Sequence, residues 1–414
     1  MDFQTDKIFS DDLDKNDGLS TLKEKFIFPL SDPIYLCGHS LGLQPKSTNK
    51  FVTDELESWA SRGVKGHMQG ENPWFDYHTL LTEPMAKIVG SKNSETVVMN
   101  SLTTNLHLLM ISFFRPNKEK YKIIIDTPAF PSDKYAVQSQ LKLHNLDAEK
   151  DLVEINTLRD NKCIPKEEIL ASIESNIEDA AMILLSGVNY YTGQLYDIKS
   201  IAALAQNHGC IIGLDLAHGA GNVKLNLNEW GIDFASWCGY KYLNGGPGAP
   251  SGIFVHEKHH NKTINRLEGW WGHDRESRFD PPDMFKPINS AEAWQLSNPP
   301  ILSMAALRSS LELFNSVGIK SLREKSEKLT EYLEYLVKSM DSKKINIVTP
   351  EQINERGSQL SLMIDCDQER INKIFSENNI IADIRKPNVV RAAPCASYNS
   401  FSDVYSFVEV LKKI

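Results

Sequence analysis

Residues 181–215 read AMILLSGVNYYTGQLYDIKSIAALAQNHGCIIGLD. Two unbroken apolar runs, Ala181 to Leu185 and Cys210 to Leu214, flank a segment from Asp197 to His208 with helical spacing of its apolar residues. A run without alternation fits a strand buried on both faces, and two such strands joined through a helix make a right-handed βαβ unit of a parallel sheet. The fold class expected is therefore α/β. Ser186 and Asp215 fall at equivalent strand ends, the edge at which open α/β sheets place their ligands.

Further along, a third apolar run from Phe234 to Tyr240 leads into Lys241. A free lysine amine titrates near about 10.4 and is a poor nucleophile at neutral pH. Held as an imine to an aldehyde cofactor, it has a use. Pyridoxal phosphate requires such a lysine, together with an acid that keeps its ring nitrogen protonated, and Asp215 at a strand end supplies the acid. The glycine-rich stretch Leu243 to Gly252 lacks the G-K-[ST] of a Walker loop and reads as a place of close backbone approach. His256-Glu257-Lys258-His259-His260 matches H-E-x-x-H in form, but it follows the strand-like Gly252 to Val255 and reads as a charged turn, not a zinc helix.

Upstream, Thr96 to Met99 reads as a strand, Asn100 to Thr104 as a turn and Asn105 to Phe114 as a helix. Unpaired N–H groups and hydroxyls at such a helix start suit a phosphate, although Ser and Thr are also ordinary caps. Lys122 to Thr127 is a β-branched run ending at Pro128, with Phe130 in the following loop placed to cover a flat ring or to join the core. Phe51 to Arg62 has helical spacing, and Gly66 to Gly70, carrying His67, reads as a flexible loop. Gly38-His39-Ser40-Leu41-Gly42 matches the G-x-S-x-G elbow of serine hydrolases, yet Pro45 stands where the helix of that motif is required.

Beyond Ser303 a helical region runs to Met340. A smaller α/β unit follows, with strands at Ile345 to Val348 and Leu360 to Ile364, a helix from Gln368 to Asn378, an extended Ile380 to Arg385 and a last helix at Phe401 to Leu411. Arg391, after a short apolar run, is either a salt-bridge partner or a bidentate clamp for a carboxylate.

At 414 residues and 41% hydrophobic composition the chain accommodates two or three domains, one large and one small being the arrangement expected. Its 45 basic and 54 acidic residues leave a net charge of -9, which gives no electrostatic footprint for nucleic acid. The six cysteines form no C-x-x-C pair and no zinc spacing, and their apolar settings fit reduced, buried thiols. Neither a signal peptide nor a membrane span is legible, so the cytoplasm is the expected location.

Six segments in register, Gly38 to Pro45, Phe130-Pro131-Ser132-Asp133, Tyr191-Thr192-Gly193-Gln194, Asp215-Leu216-Ala217-His218, Tyr240 to Asn244 and Ser297-Asn298-Pro299-Pro300, together resemble the kynureninase family. The likeness runs from about residue 34 to the C-terminus. It implies a fold type I enzyme related to class V aminotransferases, with a mainly parallel seven-stranded sheet. The divisions implied are an N-terminal arm and part of the small domain over 1–47, a large cofactor-binding domain over 48–300 and a small domain over 301–414.

The resemblance also implies a homodimer with shared active sites, a small amino-acid substrate and a place in tryptophan catabolism and NAD biosynthesis. Carried over by position, Lys241 holds the cofactor, Asp215 pairs with its ring nitrogen and Phe130 stacks on the ring. Leu102, Thr103 and Tyr240 face the phosphate, joined by Trp270 and Asn298 from the partner subunit. Asp133, Ser186 and His218 complete the cofactor shell. Arg391 holds the substrate carboxylate, and Ser40, His67 and Asn298 face the aryl end.

The implied reaction is hydrolysis of the Cβ–Cγ bond of L-kynurenine or 3-hydroxy-L-kynurenine to alanine and anthranilate or 3-hydroxyanthranilate. Lys241 serves in it as the base at Cα, and Tyr240 as a proton donor. One position departs from the family pattern, since His39 stands where asparagine is expected. The alternatives are a cysteine desulfurase, from which Tyr240 before Lys241 separates this chain, a class V aminotransferase, and more distantly a non-catalytic protein that keeps the fold.

Overall fold

Ala180–Ser186 and Ile211–Asp215 lie side by side as parallel strands, with Ser186 directly opposite Asp215. The computed structural model describes residues 2–414 except Leu30, Asp32, Pro282 and Asp283. Around this pair a seven-stranded sheet runs in the order Thr96–Met99, Ser251–Val255, Phe234–Trp237, Ile211–Asp215, Ala180–Ser186, Lys122–Thr127, Leu152–Asn156. Only Ser251–Val255 is antiparallel to its neighbours.

The apolar runs are continuous because both faces of this sheet are covered. Ile183, Leu185, Ile212 and Leu214 point into one core cluster, and Met182, Leu184, Ile123 and Ile125 into another on the opposite face. A side chain at Gly213 has no room, since a Cβ there would lie 2.2 Å from the Phe234 ring.

Four local expectations are corrected. The strand that leads to the lysine stops at Trp237, and Lys241 lies on the turn beyond it, where Asn244 N donates to Lys241 O at 2.9 Å and Gly245 N to Gly239 O at 2.9 Å. The turn draws the chain away from the sheet edge. Pro131 opens a helix, Pro131–Leu143, in place of prolonging a loop, because proline's missing N–H and fixed φ suit a first helical position. The helix after Asn100 starts at Leu102, earlier than expected, and the loop expected over Gly66 to Gly70 begins inside a 3₁₀ turn, Gly63–His67.

A second core gathers the four-stranded sheet of Ile345–Ile347, Leu360–Ile364, Val389–Ala392 and Asp383–Arg385 with the helices Ile319–Ser339, Gln368–Glu377 and Phe401–Leu411. The N-terminal arm belongs with it. Ile34–Tyr35 pairs in parallel with Ile380–Ile381, and the Asp14 carboxylate accepts from Phe401 N at 2.6 Å and Ser402 N at 3.0 Å, capping the last helix. Helix Ile301–Val317 instead packs on Thr48–Arg62 and Thr79–Val89, and Met304, Leu307 and Leu311 join the large core. By packing, the changeover falls near Gly318, beyond the division at 300. Among the described residues no helix is long and apolar enough to cross a membrane.

Candidate active site

The strand ends of the large sheet, the start of helix Leu102–Phe113 and the lysine turn enclose a cavity of about 280 Å³. Nine of the residues proposed from sequence line it: Leu102, Thr103, Phe130, Asp133, Ser186, Asp215, His218, Tyr240 and Lys241. Their separation along the chain is bridged by parallel pairing and by loops that all leave the same edge.

Lys241 is buried, and its Nζ lies 3.2 Å from His218 Nε2. Among the described residues it forms no salt bridge with a carboxylate. The Phe130 and Tyr240 ring centroids are 5.7 and 6.0 Å from Nζ. Burial, reinforced by the lysine's charge, pushes His218 well below the usual histidine range, so it stands neutral beside the amine. Tyr240 is pushed up by burial and then by Cys238, and keeps its phenolic proton.

Asp215 Oδ1 accepts from Ala217 N at 2.7 Å, which fixes the carboxylate at the end of its strand. Asp133, in the first turn of Pro131–Leu143, faces it. Burial, and then the charge of Asp215, raise Asp133 well above the ordinary carboxylate range. Two buried carboxyl groups turned toward one cavity call for a proton or a cation between them. Ser186 is held from behind by Asp126, whose carboxylate accepts from its Oγ at 2.6 Å and its N at 3.0 Å, and also from Asn189 and Tyr196. At the far end of the cavity the helix from Leu102 makes its first intrahelical bond from Asn105 N to Ser101 O at 2.9 Å, so the N–H groups before it are free for an anion.

These residues fit pyridoxal phosphate. The helix start with its unpaired N–H groups suits the phosphate, the acidic pair suits a protonated ring nitrogen, Phe130 suits a ring face, and a lysine without a carboxylate partner suits the aldehyde.

The other proposed residues lie outside this cavity in the single chain. Arg391 is buried behind it, donating Nη1 to the Tyr190 carbonyl at 2.7 Å and Nη2 to Asp383. His67 packs edge-on against Trp74 at 5.3 Å, Trp270 donates Nε1 to Arg278 O at 2.7 Å and is 46% exposed, and Ser40 and Asn298 are exposed. Sequence reasoning passed over Tyr190 and Ser251, which line the cavity, and Asp126 behind it. Asp126 carried a signal, being an acid directly after three isoleucines of one strand, where a buried charge needs partners. No cysteine lines the cavity, and among the described residues no cluster of His, Cys, Asp and Glu could hold a metal.

Fold and site together define a fold type I enzyme of the pyridoxal-phosphate class. A cysteine desulfurase of Thermococcus onnurineus superposes with a TM-score of 0.74 over 92% of this chain and 94% of its own, at 19% identity. A cystine C–S lyase solved with cysteine persulfide superposes at 0.77 over 93% and 98%, at 14% identity. At these identities the likeness is one of fold. Residues 47–231 match the aminotransferase class I and II family, and residues 322–411 the kynureninase C-terminal domain.

Closer relatives in sequence are the kynureninases of Myxococcus xanthus, 47% identical over 99% of this chain and 97% of its own, and of Christiangramia forsetii, 44% over 100% and 99%. That of Nematostella vectensis is 41% identical over 97% and 92%. The chain belongs to the kynureninase family.

Proposed function

We propose that this cavity binds pyridoxal 5'-phosphate and hydrolyses L-kynurenine or 3-hydroxy-L-kynurenine to L-alanine and anthranilate or 3-hydroxyanthranilate. The observation that carries the reading is the meeting of Lys241, His218, Asp215, Asp133, Phe130 and the Leu102 helix start around one cavity. Kynureninase relatives that match the chain over nearly its full length give the substrate class.

Pyridoxal phosphate, when bound, supplies an electron sink for breaking first the Cα–H and then the Cβ–Cγ bond. Lys241 would hold the cofactor through Nζ, and its free amine would serve as the base for the proton at Cα. His218, neutral and 3.2 Å from Nζ, keeps the freed amine in place as a hydrogen-bond acceptor. Asp215 holds the ring N–H, its own carboxylate steadied by Ala217 N. Tyr240 donates its phenolic proton to Cβ as the bond to the carbonyl carbon breaks. Water has by then added to that carbonyl carbon, so the bond breaks from the hydrated carbonyl with its electron pair going to Cβ; the carbonyl side leaves as the aryl carboxylic acid, and water's proton restores the one Tyr240 gave.

Arg391 receives the substrate carboxylate. The unpaired N–H groups of Leu102 and Thr103 hold the phosphate, together with Tyr240 and, from a second subunit, Trp270 and Asn298. Ser40, His67 and Asn298 meet the aryl ring where two subunits close over one site. Their place outside the single chain's cavity accords with such a homodimer. The cytoplasm and the route from tryptophan toward NAD are the setting this activity implies.

His67 and Asn298 favour the 3-hydroxy substrate, because a polar site built around a ring hydroxyl loses more with a substrate that lacks it. His67→Phe is expected to bring the two kcat/KM values together. Equal values already in the wild type sink the preference.

The activity is tested by loading the protein with pyridoxal phosphate, adding each kynurenine, and measuring the fluorescent aryl acid and alanine. Equimolar amounts of both are expected. Protein that takes up the cofactor and forms neither product contradicts the reading, as does release of sulfide from cysteine in their place.

A further inference from the structure

Three basic side chains converge on one carboxylate oxygen behind the cavity. Asp383 Oδ2 accepts from Arg385 Nη2 at 3.0 Å and from Arg391 Nη2, and lies 3.7 Å from His39 Nε2. The arrangement leaves Arg391 Nε buried and unpaired. His39 is 1% exposed, and neither of its ring nitrogens has a hydrogen-bond partner. A buried imidazole with both nitrogens idle is unfavourable and calls for an explanation.

The distance to Asp383 is too long for a hydrogen bond, and a carboxylate movement of about 1 Å closes it. The His39 ring lies 6.1 Å from that of His218, which contacts Lys241. Burial outweighs the attraction of Asp383 and pulls His39 down to about 4, so at neutral pH the ring is an uncharged donor.

We propose that Asp383 occupies Arg391 in the free enzyme as an internal stand-in for the substrate's carboxylate, and turns onto His39 Nε2–H and Arg385 when substrate arrives. The inference rests on the reading of Arg391 as the substrate's carboxylate clamp. Asp383 and His39 are then positioning residues, acting through Arg391. Asp383 competes with every amino acid that enters, and His39 makes its displacement favourable. The free enzyme keeps the buried guanidinium paired, and the price is weaker substrate binding.

The test uses the full-length enzyme loaded with pyridoxal phosphate and titrated with L-alanine, read by the absorbance of the bound cofactor, beside kcat and KM for L-kynurenine. Asp383→Asn is expected to tighten alanine binding about ten-fold and to lower KM more than it changes kcat, since a charged hydrogen bond is removed from the competitor. His39→Phe weakens binding by about the same factor, and His39→Gln, which keeps a donor, restores it. In the Asp383→Asn background His39→Phe changes nothing beyond about two-fold, because no carboxylate remains to be received.

A His39→Phe effect of equal size in both backgrounds overturns the exchange, as does weaker alanine binding in Asp383→Asn. Unchanged alanine binding in Arg391→Ala removes the clamp and the exchange with it. Enzyme that binds alanine in the expected pattern but leaves kynurenine intact fails the proposed hydrolysis alone.

Discussion

His39 and His218 are both buried, and both are held below the ordinary histidine range, His39 at about 4. The sign of the resulting pH dependence follows from proton counts. Between about 6.5, where histidines in the unfolded chain titrate, and about 4, the unfolded state binds protons that the folded state refuses. Stability is therefore complete above about 6.5 and falls as the pH drops toward 4. His39→Asn is expected to remove on the order of 3 kcal/mol from that fall in chemical-denaturation curves taken across this window. An unchanged slope shows that His39 takes up its proton in the folded protein as readily as in the unfolded one.

Single residues were legible where their chemistry is written in type and position. Asp215 and Lys241 after apolar strands, and Phe130 after a β-branched run, announced themselves. The His39–Asp383–Arg391 cluster did not, because it is assembled by contacts between the arm and the small sheet that no local pattern records.

At the scale of elements, the N-terminal arm is tied to the catalytic turn. Gly42 N donates to Tyr240 O at 2.9 Å, and a Cβ at Gly42 would lie 2.4 Å from the Lys241 carbonyl oxygen and 2.2 Å from Asn244 Oδ1. Only glycine lets the two backbones come this close. Gly42→Ala is expected to displace the turn and reduce kcat by about 10²-fold, the order of loss from misplacing a reacting group, while thermal unfolding remains cooperative. Near wild-type kcat in this variant sets aside the arm as a support for Lys241.

The strands and most helices were readable because periodicity and burial determine them together. The end of the strand before Lys241 was not. It depends on the approach of Gly239 to the Pro250 carbonyl, where a Cβ would lie at 2.2 Å, and on the hydrogen bonds of the turn, while the apolar residues run on without a break.

Across the whole molecule, the substrate-facing residues outside the single chain's cavity and the exposed Trp59, Val64 and Met68 on and beyond helix Thr48–Arg62 accord with the proposed dimer. A site shared between subunits has a consequence that separate sites lack. Lys241→Ala and Asn298→Ala, each weakly active alone, are expected to complement when unfolded and refolded together. Half of the dimers are then mixed, and one of the two sites in each mixed dimer is intact, so activity returns to about a quarter of wild type. No recovery in a mixture shown to exchange subunits removes Asn298 from the shared site. The change of packing partner near Gly318 was not legible in the sequence, because helix Ile301–Val317 continues the helical pattern of the next element while packing on the core before it.

The claim on which the site depends is that Lys241 carries the cofactor. Borohydride reduction of the enzyme saturated with pyridoxal phosphate, followed by digestion and mass spectrometry, tests it directly. The added mass is expected on the peptide containing Lys241 and on no other stoichiometrically. An unlabelled Lys241 peptide in saturated enzyme, or stoichiometric label at a different lysine, contradicts it.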